Sequence, residues 1–221
     1  MNIIGLFQKL TGKKIIGEIV SPFNGKIQVV EDLWGKRLVV NGLTQSGGEV
    51  RRIWKKALTK ISISNSPMPA ILILGLGGGT LASLLSQKWP EAEIVGVEID
   101  PRMVELGKKY FALGKIPKLK IVIDDAIKFV FQLETRKRRW EAILVDLYRG
   151  DQFPPQGERK EFLTALKRTL VPKGLAVFNR LYYKKHKRQT ELFLAKLKTL
   201  FYEIKKEKIG GNLLIFCWKK A

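Results

Sequence analysis

Ile71-Leu-Ile-Leu-Gly-Leu-Gly-Gly-Gly-Thr80 is the stretch that decides the fold, and Ile94-Val-Gly-Val-Glu-Ile-Asp-Pro101 follows it. An apolar run enters a cluster of glycines, a helical pattern follows, and a second apolar run ends in Glu98. This order is typical of the first βαβ unit of a nucleotide-binding sheet. Glycines let the backbone turn tightly and approach a ligand without a Cβ in the way. Glu98 stands where a carboxylate accepts from both ribose hydroxyls, which predicts an adenosine-bearing cofactor.

The spacing of the glycines narrows the choice of cofactor. The dinucleotide fingerprint is G-x-G-x-x-G, whereas this loop has Gly75, Gly77 and Gly79, with Thr80 in place of the third fingerprint glycine. The G-x-G-x-G spacing favours S-adenosylmethionine or a relative over NAD. The alternative is a glycine-rich turn that holds no ligand, but that interpretation does not account for the acid at the end of the next strand.

Composition indicates a globular protein and argues against several kinds of site. The chain has 221 residues, 45% of them hydrophobic, which suits one α/β domain with a modest addition. No apolar run approaches the roughly 20 residues of a membrane span, and residues 1–10 predict a short docking helix, not a signal peptide. Cys217 and His186 are the only cysteine and histidine. We therefore expect no disulfide, no metal site and a reducing, cytoplasmic location.

The net charge is +21, from 41 Lys and Arg against 20 Asp and Glu. Such a charge attracts polyanions such as RNA, ribosomes or acidic protein surfaces, but a solvated basic surface accounts for it equally well. The basic run 136–139 precedes the fourth core strand, on the face away from the expected site. The run 180–188 follows the fifth strand and mixes aromatic residues with cations, which predicts nucleic acid contact, a lid or a helix start.

Two patterns follow one another along the chain. Apolar runs separated by turn residues predict a small β-hairpin module with strands over 14–20, 26–31 and 37–41. A helix over 47–60 and a linker over 62–69 come next. Strands and helices then alternate, which predicts a parallel sheet covered on both faces. The predicted core strands are 70–74, 93–98, 119–123, 142–146 and 174–179, the helices are 80–88, 102–111, 125–134, 158–169 and 188–200, and 202–208 with 212–219 form a terminal hairpin.

These elements predict an α/β, Rossmann-like class I methyltransferase fold, in which a mostly parallel seven-stranded sheet ends in an antiparallel hairpin. We expect domains over 1–61 and 62–221. In such a sheet ligands bind beyond the carboxyl ends of the strands. The residues expected to meet there are Gly75, Gly77, Gly78, Gly79, Glu98, Ile99, Asp125, Ala126 and Asp146. For Asp125 the alternative is a helix N-cap alone, and for Asp146 it is a turn residue that closes the strand.

The chain resembles the spermidine synthase (polyamine aminopropyltransferase) family, especially its divergent bacterial branch. Residues 21–46 resemble the N-terminal β-hairpin module of that family. The core is similar at Leu74-Gly-Leu-Gly-Gly-Gly-Thr-Leu81, Val97-Glu-Ile-Asp100, Asp125-Ala-Ile-Lys-Phe129 and Asp146-Leu-Tyr-Arg-Gly-Asp151. The resemblance covers roughly residues 14–218, and the module together with the core makes it fairly specific.

Spermidine synthases move an aminopropyl group from decarboxylated S-adenosylmethionine to putrescine. The resemblance implies that Glu98 holds the ribose, and that Asp125 and Ala126 hold the adenine, with Ile99 packed against it. It also implies that Asp146 orients and deprotonates the attacking amine, because an amine must lose a proton to be nucleophilic. A homodimer is a further expectation from the family.

The sequence differs from the family at three places, where the family binds the aminopropyl group of the donor and the diamine acceptor. Gly78 stands where the family has an aspartate that holds the aminopropyl ammonium, and its absence favours a donor that carries a carboxylate. Arg149 stands where a second acid grips the diamine, and a cation there repels a diamine. Trp54-Lys55 replaces a Tyr-His or Tyr-Gln pair, and Tyr148 is expected to shape the same acceptor pocket.

We therefore expect a transferase that moves the methyl group of S-adenosylmethionine to an unidentified nucleophile on a protein, an RNA or an amine. One alternative is an aminopropyltransferase for an unusual amine, which needs Asp151 or Asp124 to replace the lost acids. The other is a non-catalytic RNA-binding relative, whose binding is steeply salt-dependent and indifferent to S-adenosylmethionine.

Overall fold

A computed structural model describes residues 12–63, 66–135 and 138–221. Over these residues the predicted α/β fold is confirmed: a four-stranded antiparallel sheet precedes a seven-stranded, mostly parallel one. The docking helix predicted for residues 1–10 and half of the basic run 136–139 lie outside the described residues. The division into domains at residue 61 stays a prediction. Among the described residues, no helix has the length and apolar character to cross a membrane.

The N-terminal sheet contains one strand more than the sequence pattern predicts. Its strands follow chain order as β1 Lys14–Ser21, β2 Gly25–Asp32, β3 Gly35–Val40 and β4 Leu43–Gly47. The fourth strand, Leu-Thr-Gln-Ser-Gly, lacks alternating apolar residues, and it pairs with β3 through a register shift between Leu38 and Val39. Helix α1, Gly48–Leu58, starts directly after it.

The large sheet has the strand order β10-β11-β9-β8-β5-β6-β7, with β10 and β11 as the predicted antiparallel hairpin. Its strands are β5 Ala70–Leu74, β6 Glu93–Glu98, β7 Leu119–Ile123, β8 Trp140–Val145, β9 Leu170–Leu181, β10 Glu203–Ile209 and β11 Asn212–Trp218. The chain winds outward from β5 in both directions, so the carboxyl ends of β5 and β8 form the switch point where such sheets bind ligands.

Helices cover both faces of this sheet. They are α2 Thr80–Lys88, α3 Pro101–Tyr110, α4 Ala126–Glu134, α5 Lys160–Thr169 and α6 Lys185–Lys198. Side chains of α4, α5 and α6 pack on one face, and those of α1, α2 and α3 pack on the other. The residues of β5 and β8 are almost fully buried, because each central strand has a packed layer on both sides.

The N-terminal sheet packs on α3. Ile27, Val29, Leu38 and Val40 form a separate apolar cluster with Met103 and Leu106. The cluster places β1 to β4 beside the carboxyl ends of the core strands, so this sheet contributes one side of the site described below.

The side chain of Asp100 links the N-terminal sheet to α3 through hydrogen bonds. The side chain is fully buried and accepts hydrogen bonds from Ser21 Oγ at 2.5 Å and Asn24 Nδ2 at 2.6 Å. It also caps α3 by accepting from the Arg102 backbone N–H at 2.9 Å, with Pro101 at the first helical position. One carboxylate therefore starts the helix and holds the turn between β1 and β2.

We predict that Asp100→Ala lowers the free energy of unfolding by about 2–4 kcal/mol, because it removes a helix cap and leaves buried donors without an acceptor. Urea denaturation of the purified protein measures this. Glu105→Ala is the control in the same helix, since its pair with Arg102 is half exposed on both sides, and it should change stability by about 0.5 kcal/mol or less. Equal effects of the two substitutions would contradict the role of Asp100.

Candidate functional site

A cavity of about 920 Å³ opens at the carboxyl ends of β5, β6 and β8, beside the N-terminal sheet. Its volume lies at the upper end of the range for small-molecule sites. Most of the predicted site residues line it: Gly75, Gly77, Glu98, Ile99, Asp125, Ala126, Asp146, Tyr148 and Arg149. The structure therefore brings together segments that lie up to 74 positions apart in the sequence.

Gly75 brings the glycine loop against the end of β8. Its φ is +90°, and a Cβ at this position would lie 2.2 Å from the backbone oxygen of Asp146. Gly77 also has a positive φ, +55°. Its backbone N–H donates to Glu98 Oε2 at 2.7 Å. Any other residue at position 75 would push Asp146 away from the loop.

Gly78 and Gly79, which we expected to contact the cofactor, lie outside the residues that line the cavity. The Gly78 backbone N–H donates to Ser46 Oγ at 2.8 Å, and a Cβ on Gly78 would lie 2.9 Å from the same atom. A Cβ on Gly79 would lie 2.4 Å from Leu113 Cδ1. Both glycines therefore serve close packing, one against β4 and the other against the segment after α3.

Glu98 is buried at the end of β6 but reaches the cavity. Its Oε2 accepts from the Gly77 N–H, and its Oε1 accepts from the Asp100 N–H at 3.1 Å. Burial raises the pKa of Glu98, and the two N–H donors oppose the shift. The carboxylate is thus fixed in place by the glycine loop, with each oxygen held by one backbone donor.

The segment after β7 begins with a helix cap and lies beside an apolar part of the cavity wall. Asp125 Oδ1 accepts from the N–H groups of Ile127 and Lys128 at 2.7 and 3.3 Å, which makes Asp125 the N-cap of α4. Ala126 and Ile99 line the cavity beside it, and Ile99 is 41% exposed. The cap is established by this geometry, and the binding role of Asp125 stays a prediction.

Asp146 follows β8 and has a hydrogen-bond donor on each carboxylate oxygen. Trp54 Nε1 donates to Oδ2 at 2.8 Å, and Asn179 Nδ2 donates to Oδ1 at 2.8 Å. Asn212 Nδ2 in turn donates to Asn179 Oδ1 at 2.8 Å, which fixes the orientation of the Asn179 amide. Burial raises the pKa of Asp146, and the Trp54 and Asn179 hydrogen bonds oppose this shift.

Trp54, predicted as a wall of the acceptor pocket, is instead fully buried behind Asp146 and does not line the cavity. Ile53, Trp54, Ala57 and Leu58 form the inward face of α1, so Lys55 lies on the exposed face of that helix. Trp54 therefore acts on the site only through its hydrogen bond to Asp146, and Lys55 lies outside the residues that line the cavity.

Tyr148 and Arg149 lie in the loop that follows Asp146. The Tyr148 hydroxyl accepts from the Leu181 N–H at 2.7 Å and lies 3.2 Å from the Asn179 carbonyl oxygen, to which it donates. Burial raises the pKa of this hydroxyl. Arg149 is exposed, and two backbone hydrogen bonds of 2.9 and 3.1 Å with Gln152 close its turn. The loop thus places an uncharged phenol and a permanent cation at the cavity.

Sequence reasoning missed Asn179, Asn212 and the specific role of Ser46. Asn179 ends the apolar run of β9, so its position at a carboxyl strand end was a usable signal. Asn212 only reaches the site because β11 pairs with β9, where it lies opposite Leu181. The contact between Ser46 and Gly78 spans 32 positions and carries no local signal.

The chain is similar to proteins of two named activities. The profile of the spermine/spermidine synthase domain matches residues 51–208. An eEF1A lysine and N-terminal methyltransferase homolog from Drosophila pseudoobscura pseudoobscura is 37% identical over 115 residues, which are 49% of this chain and 17% of that protein. A polyamine aminopropyltransferase from Vibrio vulnificus is 30% identical over 123 residues, 55% of this chain and 41% of that protein. The chain thus spans less than half the length of either relative.

A solved structure extends the comparison to the fold. Human methyltransferase-like protein 13 in complex with SAH superposes with a TM-score of 0.65 at 25% identity, covering 79% of this chain and 83% of that one. The family profile covers well over half of the chain, and the fold is the one that the profile and the structural match imply. The chain therefore belongs to the spermine/spermidine synthase family.

Proposed function

We propose that this protein is a methyltransferase that uses S-adenosylmethionine and methylates a nucleophilic nitrogen. The observation that carries the proposal is Arg149, an exposed cation in the cavity wall, where a diamine acceptor would need an acid. Position 78 also has no carboxylate to hold an aminopropyl ammonium, and Ser46 Oγ lies 2.9 Å from where a Cβ would stand there. A donor that keeps its own carboxylate meets no repulsion from that position.

The residues that line the cavity suit the rest of this donor. Glu98 offers a fixed carboxylate to two ribose hydroxyls, and Gly75 and Gly77 let the backbone approach the donor closely. Ile99 and Ala126 provide an apolar surface for adenine, with Asp125 beside them. When bound, S-adenosylmethionine supplies a methyl carbon made electrophilic by the adjacent sulfonium. SAH in the human methyltransferase-like protein 13 structure supports a donor of this kind.

Asp146 is the residue we assign to the acceptor. Trp54 and Asn179 hold its two oxygens in one orientation, so the remaining lone pairs can accept a proton from an attacking amine. Displacement at a methyl carbon depends mainly on alignment of the nucleophile, and a single oriented carboxylate with the phenol of Tyr148 is sufficient for that task. The cation at Arg149 favours an acceptor that is not a diamine. The acceptor itself is unidentified, on a protein, an RNA or a smaller amine.

An aminopropyltransferase is the second candidate, and the similarity to the Vibrio vulnificus protein favours it. It needs an acid near Asp146 to hold the second amine. Asp151 is already paired with Lys185 at 3.1 Å, and neither Asp151 nor Asp124 lines the main cavity. Glu49 does line it, paired with Arg52 at 2.7 Å on the exposed side of α1. An aminopropyltransferase here would therefore depend on Glu49.

Titration calorimetry with S-adenosylmethionine and with its decarboxylated form should show tighter binding of S-adenosylmethionine. Glu98→Gln is the control, and it should weaken both donors alike, by about 10-fold or more, because the ribose is common to them. A preference for the decarboxylated donor would transfer the assignment to aminopropyl transfer. Binding of neither would favour the non-catalytic RNA-binding relative.

Asp146→Asn should reduce turnover by about 100-fold or more, because an amide cannot take the proton of the attacking amine. Turnover is followed as consumption of S-adenosylmethionine with mixtures of proteins, RNA and amines as acceptors. Donor affinity in the calorimeter should stay within about 3-fold of wild type, since Asp146 is assigned to the acceptor. A variant that binds donor normally and turns over at the wild-type rate would remove Asp146 from the mechanism.

Trp54→Phe should raise the pKa of Asp146 further, because the indole N–H donates to the ionised carboxylate and lowers that pKa. As pH falls, Asp146 then loses its charge, and its ability to accept a proton, at a higher pH than in wild type. Carboxyl ¹³C NMR reads this titration directly, with Asp146→Asn identifying the signal. Trp140→Phe is the control, since Trp140 is equally buried at the other end of β8. An unchanged titration in Trp54→Phe would show that the hydrogen bond does not act on the site.

A further inference from the structure

A second cavity, of about 130 Å³, lies behind the loop that follows Asp146. Its wall combines that loop, the short 3-10 helix Pro155–Glu158, the end of β9 and the first turns of α6. It shares five wall residues with the main cavity, namely Tyr148, Gln152, Phe153, Pro155 and Leu181. It contains none of the residues assigned to the donor.

Arg180 lies in this wall together with the acids Asp151 and Glu158, and it is only 3% exposed. Its Nη2 donates to Glu158 Oε1 at 2.5 Å. Its Nε and Nη1 are also buried, and neither has a hydrogen-bond partner among the described residues. The guanidinium carbon lies 4.1 Å from the ring centre of Phe153 and 4.5 Å from that of Phe193. These two rings contact the cation at cation–π distance.

His186 lines the same cavity and is 5% exposed. Its Nε2 lies 3.2 Å from Asp151 Oδ2 but makes no hydrogen bond with any described residue. Lys185 Nζ lies 3.1 Å from the same Asp151 oxygen. Each acid of the wall thus has a cationic partner: Lys185 pairs with Asp151, and Arg180 pairs with Glu158.

A buried donor without an acceptor is costly, about 1–3 kcal/mol each, so such groups normally have a partner. Here Nε and Nη1 of Arg180 make no hydrogen bond, and Nε2 of His186 has only its ion-pair contact with Asp151. Both side chains line the same cavity. Glu158 accepts from Nη2 of Arg180 and leaves Nε and Nη1 without an acceptor. A carboxylate can accept from two guanidinium nitrogens at once, which makes it a stronger partner for them than water. A volume of about 130 Å³ exceeds the roughly 30 Å³ of one water several-fold, which suffices for a carboxylate group.

We propose that this cavity is a binding site for a small carboxylate, held by Arg180 and His186. The site shares Tyr148 with the acceptor position proposed above but none of the donor residues, and it does not depend on methyl transfer. Its ligand would bridge β9 and α6 beneath the loop that carries Tyr148 and Arg149.

His186 provides a direct probe, because it is the only histidine of the chain. Its imidazole ¹⁵N signals are followed by NMR in untagged protein during titration with sodium acetate, and with sodium chloride at equal ionic strength. We expect a saturable shift with acetate, with a Kd on the order of 1–10 mM, and no saturable shift with chloride. A linear drift that is the same for both salts would overturn the proposal and leave the cavity to water.

Two substitutions in the wall tie the shift to this cavity. Glu158→Gln removes the carboxylate that competes for Arg180 and should tighten acetate binding by about 10-fold. Tighter acetate binding cannot result from partial unfolding of the variant. Gln189→Glu adds a negative charge at an exposed wall position of α6 and should weaken binding several-fold. Glu161→Gln, an exposed position of α5 outside this wall, is the matched control and should change nothing. Saturable binding that is insensitive to both wall substitutions would place the acetate elsewhere and overturn the proposal.

Discussion

The close approach of Gly75 to the backbone oxygen of Asp146 is the constraint on which the rest of the site depends. No side chain fits between them, so the loop after β5 and the loop after β8 leave the sheet in contact. Gly77 then lies within reach of Glu98, whose carboxylate fixes the loop from the other side. Two neighbouring crossovers of opposite direction thus meet over one pair of strands, and this contact fixes the position of Glu98 relative to Asp146.

Three acids lie around this contact, and neutral donors hold each of them in position. Glu98 has backbone N–H groups, Asp146 has an indole and an amide, and Asp100 has a hydroxyl, an amide and the first turn of α3. Neutral donors stabilise a carboxylate without cancelling its charge. In a chain with a net charge of +21, these donors oppose the effect of burial, which raises the pKa of Glu98 and of Asp146.

The sequence predicted the large sheet well, because its central strands are continuous apolar runs and glycines or acids end them. Strand β4 was not predicted, because Leu43–Gly47 has no alternation of apolar residues and forms a strand through its pairing with β3. The loop glycines were harder to assign individually. Gly75 and Gly77 line the cavity while Gly78 and Gly79 pack on Ser46 and Leu113, and only the partner across the fold decides between these roles. Trp54 was predicted to line the acceptor pocket, but it lies behind Asp146 in the core. The helical pattern shows that Trp54 faces inward, but it does not show whether the side chain ends in the cavity or in the core.

The carboxylate of Asp100 also restricts how ligands can reach the cavity. Lifting the N-terminal sheet would separate Ser21 and Asn24 from a fully buried acid, at about 1–3 kcal/mol for each lost hydrogen bond. Moving Asp100 itself would disturb Glu98, which accepts from its backbone N–H. The exposed turn at Arg149 also lines the cavity, and two backbone hydrogen bonds with Gln152 close it on itself. An opening of the cavity at this turn would leave the hydrogen bonds of Asp100 intact, and it would put the Arg149 guanidinium at the entrance.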